Sequence, residues 1–298
     1  MEKLIWKCIL HIRNTSPLVH NIANYVAMNN SANAVLAIGA SPVMSHAHSE
    51  IDEMVGICSS LVVNIGTLDE YWTDSMIMAA KKANQLQKPW ILDPVGAGAT
   101  SYRNKVLEQL LLFKPTVIRG NASEILALAK HNRELNESTD SSVQRSQVVT
   151  KGVDSTAQSS QAVAAARYLN REFGAVVCIS GETDIIVTPK KHFYINNGST
   201  LMTKVTGLGC SATTVIGAFI AGIDNKAEAV IAATALFSIA GEIAAGVIAG
   251  QDAGQTTRQA TGQVAGPGTL QVMLLDKLYN ITFEEIEQRL RLEVKDAE

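Results

Sequence analysis

The sequence predicts an α/β fold, a mostly parallel central sheet with helices on both faces. Three observations predict it. Short β-branched runs alternate with longer stretches of helical sequence. The runs are apolar throughout rather than at every second residue, as strands covered on both faces must be. Hydrophobic residues make up 47% of the 298 and aromatics only 5%, so Ala, Val, Ile and Leu supply the core. A prior of ~150 residues per domain allows two domains, but α/β folds of this length often form one. One domain over residues 1–298 is therefore expected, with the polar stretch 138–160 read as an exposed connection and not a linker.

Along the chain, "MEKLIWKCILHIRN" opens with an apolar stretch too short and too interrupted for a signal peptide. The expected strands are "LVVNIG" (61–66), "WILDPVG" (90–96), "TVIRG" (116–120) and "AVVCISG" (175–181), each ending in a glycine or polar turn. A short strand near Val148–Lys151 is expected inside the polar stretch. "CISGETDIIV" breaks a strand at Gly181 and resumes it at Asp184. An Ala-rich buried helix follows at 226–249, then a Gly/Gln/Thr loop at 250–268 and a helix near 269–279. The charged segment 283–296 reads as a surface helix. Two uncharged segments, 205–223 and 229–241, invite a membrane reading. The first begins as a glycine-containing loop, and the second falls short of the ~20 residues a span needs. Both are expected as core helices, with no membrane partner.

Net charge is −3 and no run of Lys and Arg stands out, so nucleic acid is not an expected partner. The four cysteines, Cys8, Cys58, Cys178 and Cys210, form no CxxC pair. They suit a reducing, cytoplasmic compartment rather than a disulfide scaffold.

Ligands of open α/β sheets bind at the carboxyl ends of the strands. Asp93 ends one run and is followed by Pro94 and a Gly-Ala-Gly turn. It either starts a turn or offers a carboxylate to Mg²⁺ near a phosphate chain. Arg119 ends another, before Asn121 and Glu124, which have capping-box spacing. Glu124 is thus a helix cap, a support for metal-bound water, or both. Ser180 bonds a phosphate or its own turn. In "SHAHSE", His46, His48 and Glu50 offer metal-ligand chemistry without a secure geometry. Met44 reads as packing. "KVTGLGCSAT" (204–213) is a glycine-rich turn entering a small-residue helix, the kind of helix start whose N–H groups collect phosphate. There is no G-x-x-x-x-G-K-[ST] and no G-x-S-x-G, which excludes a P-loop kinase and a nucleophile-elbow hydrolase.

Together "SPLVHNIANYVAMNNSANAVLAIGASPVMS", "VVNIGTLD", "WILDPVGAGAT", "IRGNASEI", "KGVDS", "ISGETD" and "KVTGLGCSAT" resemble hydroxyethylthiazole kinase, a ribokinase-like enzyme of thiamin salvage, over about residues 13–250. The resemblance implies a ribokinase-like fold without a lid domain and ATP-dependent phosphorylation of a thiazole alcohol. It also implies Mg²⁺ and a homotrimer with each site between two subunits. It sets Asn24, Met44, Gly66 and Thr67 at the thiazole pocket. Asp93, Asn121 and Glu124 fall around Mg²⁺ and the phosphates, and Arg119 and Ser180 at ATP. Gly207 and Gly209 match the anion hole, and Cys210 matches the residue facing the alcohol. Leu208 is larger than the family's usual residue between the glycines, and Ser180 stands where threonine is common. Stretch 138–160 fits poorly apart from "KGVDS". Rival readings are another ribokinase-like kinase or a nucleotide-repair dehydratase, a cysteine hydrolase or acyltransferase using Cys210, and a binding protein without catalysis.

Overall fold

The computed structural model describes residues 1–138, 155–249 and 266–297. Two strands that their sequences do not announce come first, β1 (Leu18–Ile22) and β2 (Ser41–Val43). The four apolar runs follow as β3 (Ser60–Asn64), β4 (Trp90–Asp93), β5 (Val117–Asn121) and β6 (Val176–Ser180). Then come β7 (Asp184–Val187), β8 (Lys191–Ile195) and β9 (Leu292–Asp296). All belong to one sheet, in the order β2-β1-β3-β4-β5-β6-β7-β8-β9. The first six are parallel and the last three antiparallel.

The helices are α1 (Glu2–Thr15), α2 (Met28–Ala37), α3 (Ile51–Ile57), α4 (Glu70–Gln85), α5 (Ser101–Leu111) and α6 (Ala122–Ser138). After them run α7 (Ser155–Phe173), α8 (Leu208–Gly222), α9 (Lys226–Ala249), α10 (Pro267–Asn280) and α11 (Phe283–Arg289). Strand residues alternate between two cores. Val62, Ile91 and Val117 pack with α1, α2, α8, α9 and α10 on one face. Leu61, Val63, Trp90, Leu92 and Ile118 pack with α3, α4, α5, α6 and α7 on the other. Alternating faces with apolar residues on each explain the continuous hydrophobic runs.

Two expectations need correction. Segment 283–296 is not one surface helix. α11 starts at a capping box between Thr282 and Glu285, ends at Arg289, and gives way to β9, which pairs with β8. Nor does the strand broken at Gly181 resume in its own direction, because β7 turns back antiparallel to β6. The strand expected near Val148–Lys151 lies outside the described residues, as does most of the loop expected at 250–268. By length and composition, Lys226–Gly246 could cross a membrane, but 83% of its apolar window is buried inside the fold. That is the signature of a core helix.

The chain builds from β1 outward to β2, then returns to place β3 on the other side of β1. A crevice opens at such a switch point, beyond the strands' carboxyl ends. Asn24 follows β1 there and Asn64 ends β3.

Candidate active site

Helix α8 begins over this edge. Its N-cap, Gly207, has φ 78°, a left-handed conformation that glycine adopts without cost. The first N–H groups of a helix have no partner within it. Those of Leu208, Gly209 and Cys210 therefore form a short row of donors. Arg119, buried in β5, braces the same turn: its Nη1 donates to Gly209 O at 2.9 Å and to Thr213 Oγ1 at 3.2 Å.

A chain of polar side chains runs from α8 down into the sheet. Asn24 Nδ2 donates to Cys210 Sγ at 3.3 Å and to Asn64 Oδ1 at 2.7 Å. Asn64 Nδ2 donates to Asp93 Oδ2 at 2.7 Å. Thr213 Oγ1 donates to the same carboxylate oxygen at 2.8 Å. Burial pushes the Asp93 carboxyl up to about 6, against the opposing pull of Arg119 and the two donors. Burial, then the Asp93 charge, raises the Cys210 thiol. The helix start does not make Cys210 a ready thiolate.

Glu124 forms the cap and also reaches the turn after Asp93. Its Oε2 accepts from Asn121 N at 2.8 Å while Asn121 Oδ1 accepts from Glu124 N at 2.9 Å, which is the capping box. Its Oε1 accepts from Gly96 N at 3.0 Å, in the turn that follows Asp93. Ser180, at the end of β6, is the sheet partner of Asn121. Buried Asp184, which starts β7, accepts from Ser238 at 2.9 Å and lies close enough to Arg119 to interact with its charge.

On the other side, Gly66 lies against Asn24, and a Cβ built there would come within 2.6 Å of Asn24 Nδ2. Thr67 Oγ1 accepts from Tyr25 N at 3.0 Å. Arg103 from α5 donates to Gly66 O and to Val95 O, both at 2.8 Å, tying the loop after β3 to the loop after β4. Met44 follows β2, the outermost strand on this side, and is partly buried.

The structure thus brings Asn24, Gly66, Asp93, Arg119, Gly207, Gly209 and Cys210 to one cluster. Asn121 and Glu124 join it through Gly96. Met44 and Ser180 stand on the two wings, five strand steps apart, or roughly 24 Å.

Among the described residues no group of three or more His, Cys, Asp or Glu could hold a metal. His46 stacks on Trp72 and His48 on Tyr71, with ring centroids 4.0 and 3.9 Å apart, and Glu50 accepts from Ser45. Asp93 differs from these. Its Oδ2 has two donors, while Oδ1 takes no hydrogen bond among the described residues. One free carboxylate oxygen with Glu124 nearby fits a hard cation that completes its shell with water and phosphate oxygens. No described histidine hydrogen-bonds Cys210, which leaves a cysteine hydrolase without its base.

Asn64, Thr213 and Arg103 escaped the sequence reading. Asn64 was visible as a lone amide closing an apolar run, and Thr213 as a hydroxyl one turn into the small-residue helix. Nothing local marks Arg103, whose partners are backbone carbonyls.

Residues 9–284 match the hydroxyethylthiazole kinase family. Hydroxyethylthiazole kinase of Syntrophus aciditrophicus (strain SB) is 49% identical over 288 residues, covering 96% of each chain. That of Vibrio parahaemolyticus serotype O3:K6 is 44% identical over 292 residues, covering 98% of each. The structure is similar to that of a hydroxyethylthiazole kinase protein from Pyrococcus horikoshii OT3, at a TM-score of 0.78 and 34% identity, covering 99% of this chain and 100% of that one. It shares its fold with a Staphylococcus aureus pyridoxal kinase at a TM-score of 0.59 and 14% identity, over 94% of this chain and 99% of the other.

Proposed function

The chain belongs to the hydroxyethylthiazole kinase family, and from that premise we propose how its residues carry the reaction. It is a ribokinase-like kinase. It transfers a phosphoryl group from ATP to the primary alcohol of 4-methyl-5-(2-hydroxyethyl)thiazole, a step of thiamin salvage.

In our reading the alcohol occupies the switch-point side of the crevice, walled by Asn24, Met44, Gly66 and Thr67. Both amide atoms of Asn24 are engaged inside the protein, so it shapes this wall rather than gripping the ligand. ATP lies on the β5–β6 side, against Arg119, Asn121 and Ser180. Asp93 and Glu124 would hold Mg²⁺, which supplies positive charge against the triphosphate.

Phosphoryl transfer to an alcohol is mostly positioning and charge stabilisation. The N–H groups from Gly207 to Cys210 receive the oxygens of the group in transfer. Arg119 adds its charge and, through Gly209 O and Thr213, keeps that turn in place. Cys210 faces the attacking hydroxyl. Its raised pKa makes it a protonated neighbour and a weak base at most. That suffices, because in a largely dissociative transition state the alcohol loses its proton late.

We further propose a homotrimer whose neighbouring subunit closes each site, and a cytoplasmic enzyme. Tyr25 and Val26, each 58% exposed, and Tyr71, 50% exposed, stand beside the crevice. A lidless kinase must exclude water there by some other means, and an apolar rim suits a second copy.

The observation that carries the chemistry is the short polar path from Cys210 to Asp93, since it makes the alcohol side and the phosphate side immediate neighbours. ADP release with the thiazole alcohol, run against pyridoxal and other vitamin alcohols, tests it. The thiazole alcohol is expected to give the highest kcat/KM, with its phosphate identified by mass. Equal or greater turnover of another alcohol overturns the substrate side of this reading.

A further inference from the structure

Asn64 ends β3, the strand between β1 and β4, and is 2% exposed. Its register partner is Asp93. It therefore stands between the two halves of the proposed site, and among the described residues its side-chain hydrogen bonds go to Asn24, Gly66 and Asp93.

The orientation of its amide follows from its partners. Asp93 Oδ2 can only accept when ionised, and Gly66 N–H can only donate. Asn64 meets the first with Nδ2 at 2.7 Å and the second with Oδ1 at 2.9 Å. A flipped amide would set oxygen against carboxylate and N–H against N–H. The fixed oxygen then dictates the next residue. Asn24 must present its Nδ2 to Asn64 Oδ1, and its own Oδ1 accepts from Ala27 N at 2.9 Å. The second hydrogen of that Nδ2 falls to Cys210 Sγ. Donor direction thus propagates from the carboxylate to the thiol, and the sulfur is left accepting. Its own proton turns away from Asn24.

We propose that Asn64 is a positioning residue which, through the fixed amide of Asn24, holds the Cys210 side chain and the Asp93 carboxylate in one relation for phosphoryl transfer. This rests on the roles of Cys210 and Asp93 proposed above. Asn64 touches neither substrate. It saturates Asp93 Oδ2 together with Thr213, leaving Oδ1 open, and it keeps Asn24 from turning its oxygen toward the sulfur.

Asn64→Asp is the sharp variant. It keeps an acceptor for Gly66 N and Asn24 but removes the donor to Asp93 and sets two carboxylates together, which must share a proton. Asn64→Ser is the mild one: too short to reach Asn24, it leaves room and adds no charge. Each variant is assayed for kcat and for KM of both substrates. Alkylation of Cys210 by iodoacetamide at one fixed pH is followed by peptide mass, the other three cysteines being buried.

Misplacement of about 1 Å costs about 10²-fold in rate. In both variants kcat is expected to fall by about that factor, chiefly through the displaced Asp93 carboxylate, with each KM within about threefold of wild type, and the Cys210 alkylation rate to change. A merely structural Asn64 would lower Tm and leave kcat per folded enzyme and Cys210 alkylation alone. A folded variant of either kind with wild-type kcat, or one whose loss lies wholly in KM, overturns the assignment. Wild-type protein that releases no ADP with the thiazole alcohol instead defeats the functional reading beneath it.

Discussion

The side-chain amide of Asn24 lies so close to Gly66 that one added methyl group would meet three of its atoms, at 2.6, 2.8 and 2.9 Å. That amide cannot yield easily, because it is bonded to Ala27, Asn64 and Cys210. Gly66→Ala is therefore expected to fold, with overpacking of about 1–3 kcal/mol and a Tm lower by a few degrees. Its kcat/KM for the thiazole alcohol should fall about 10²-fold. Steady-state kinetics beside a thermal melt check this, and wild-type kcat/KM would show that Asn24 moves freely.

Cys210 is expected to tolerate replacement. Removing an essential nucleophile costs on the order of 10⁶-fold in kcat, and removing a general base roughly 10²–10⁴-fold. A protonated thiol that fits beside the alcohol is worth about tenfold or less, with the backbone donors from Gly207 to Cys210 retaining most of the catalysis. Cys210→Ala and Cys210→Ser should stay active, and Cys210→Asp should match or exceed the parent. A covalent adduct on Cys210, or a Cys210→Ala that binds both substrates yet is nearly dead, would sink this.

Asp93 makes the protein without ligands pH-sensitive. Its folded pKa is raised, from 3.8 to about 6, so its stabilising contribution is complete below pH 3.8 and lost as pH rises through 6. The loss is at most about 3 kcal/mol. Asp93→Asn, which cannot ionise, should melt higher than wild type at pH 7 without added Mg²⁺. Stabilisation of wild type by Mg²⁺ with a nucleotide should grow from pH 5 to pH 7.5, as the carboxylate becomes available, and should be largely absent in the variant. Differential scanning fluorimetry over that range reads both.

Glu124→Gln keeps an acceptor for the cap at Asn121 N but removes the charge and loses the bond from Gly96 N, since its amide nitrogen only donates. A group steadying a metal-bound water is worth about 10–100-fold. Turnover should fall by that much with a melt lower by at most a few degrees, from the lost Gly96 bond, and the apparent Mg²⁺ requirement should rise. Wild-type turnover would leave Glu124 as a cap alone.

Light scattering should find a trimer. Charges at Val26 and Tyr71, as in the Val26→Glu/Tyr71→Glu double variant, should dissociate it and lower turnover together. A fully active wild-type monomer refutes the shared site, and a trimeric, active double variant shows that the interface lies elsewhere.

The sequence was most legible where the physics is local. Runs such as Leu61–Ile65 and Trp90–Asp93 are buried on both faces, so their own composition announces a strand. The edge strand β2 buries less and was missed. β9 reads as helix because the charges of 283–296 outweigh the alternation of Leu292 and Val294 with Glu293 and Lys295, and because its partner β8 lies far upstream. The same distinction divides the site. Gly207, Asp93 and Glu124 belong to recognisable turns and caps. Asn64, Thr213 and Arg103 derive their importance from groups on other strands and loops, which no local pattern reveals.

The pairing of β8 with β9 also sets an order of events during synthesis. Five residue pairs join the two strands, from Lys191–Asp296 to Ile195–Leu292, and the whole of α8, α9, α10 and α11 must be made between them. Until residues 292–296 leave the ribosome, β8 presents an unpaired edge, the kind that recruits strands from other chains. The residues of the proposed site all precede β8 or lie in the first turns of α8, ending at Thr213, so all are made while the far edge of the sheet is still open. A truncated chain lacking β9 would thus hold every residue of the proposed site and still carry an open sheet edge, which predicts aggregation.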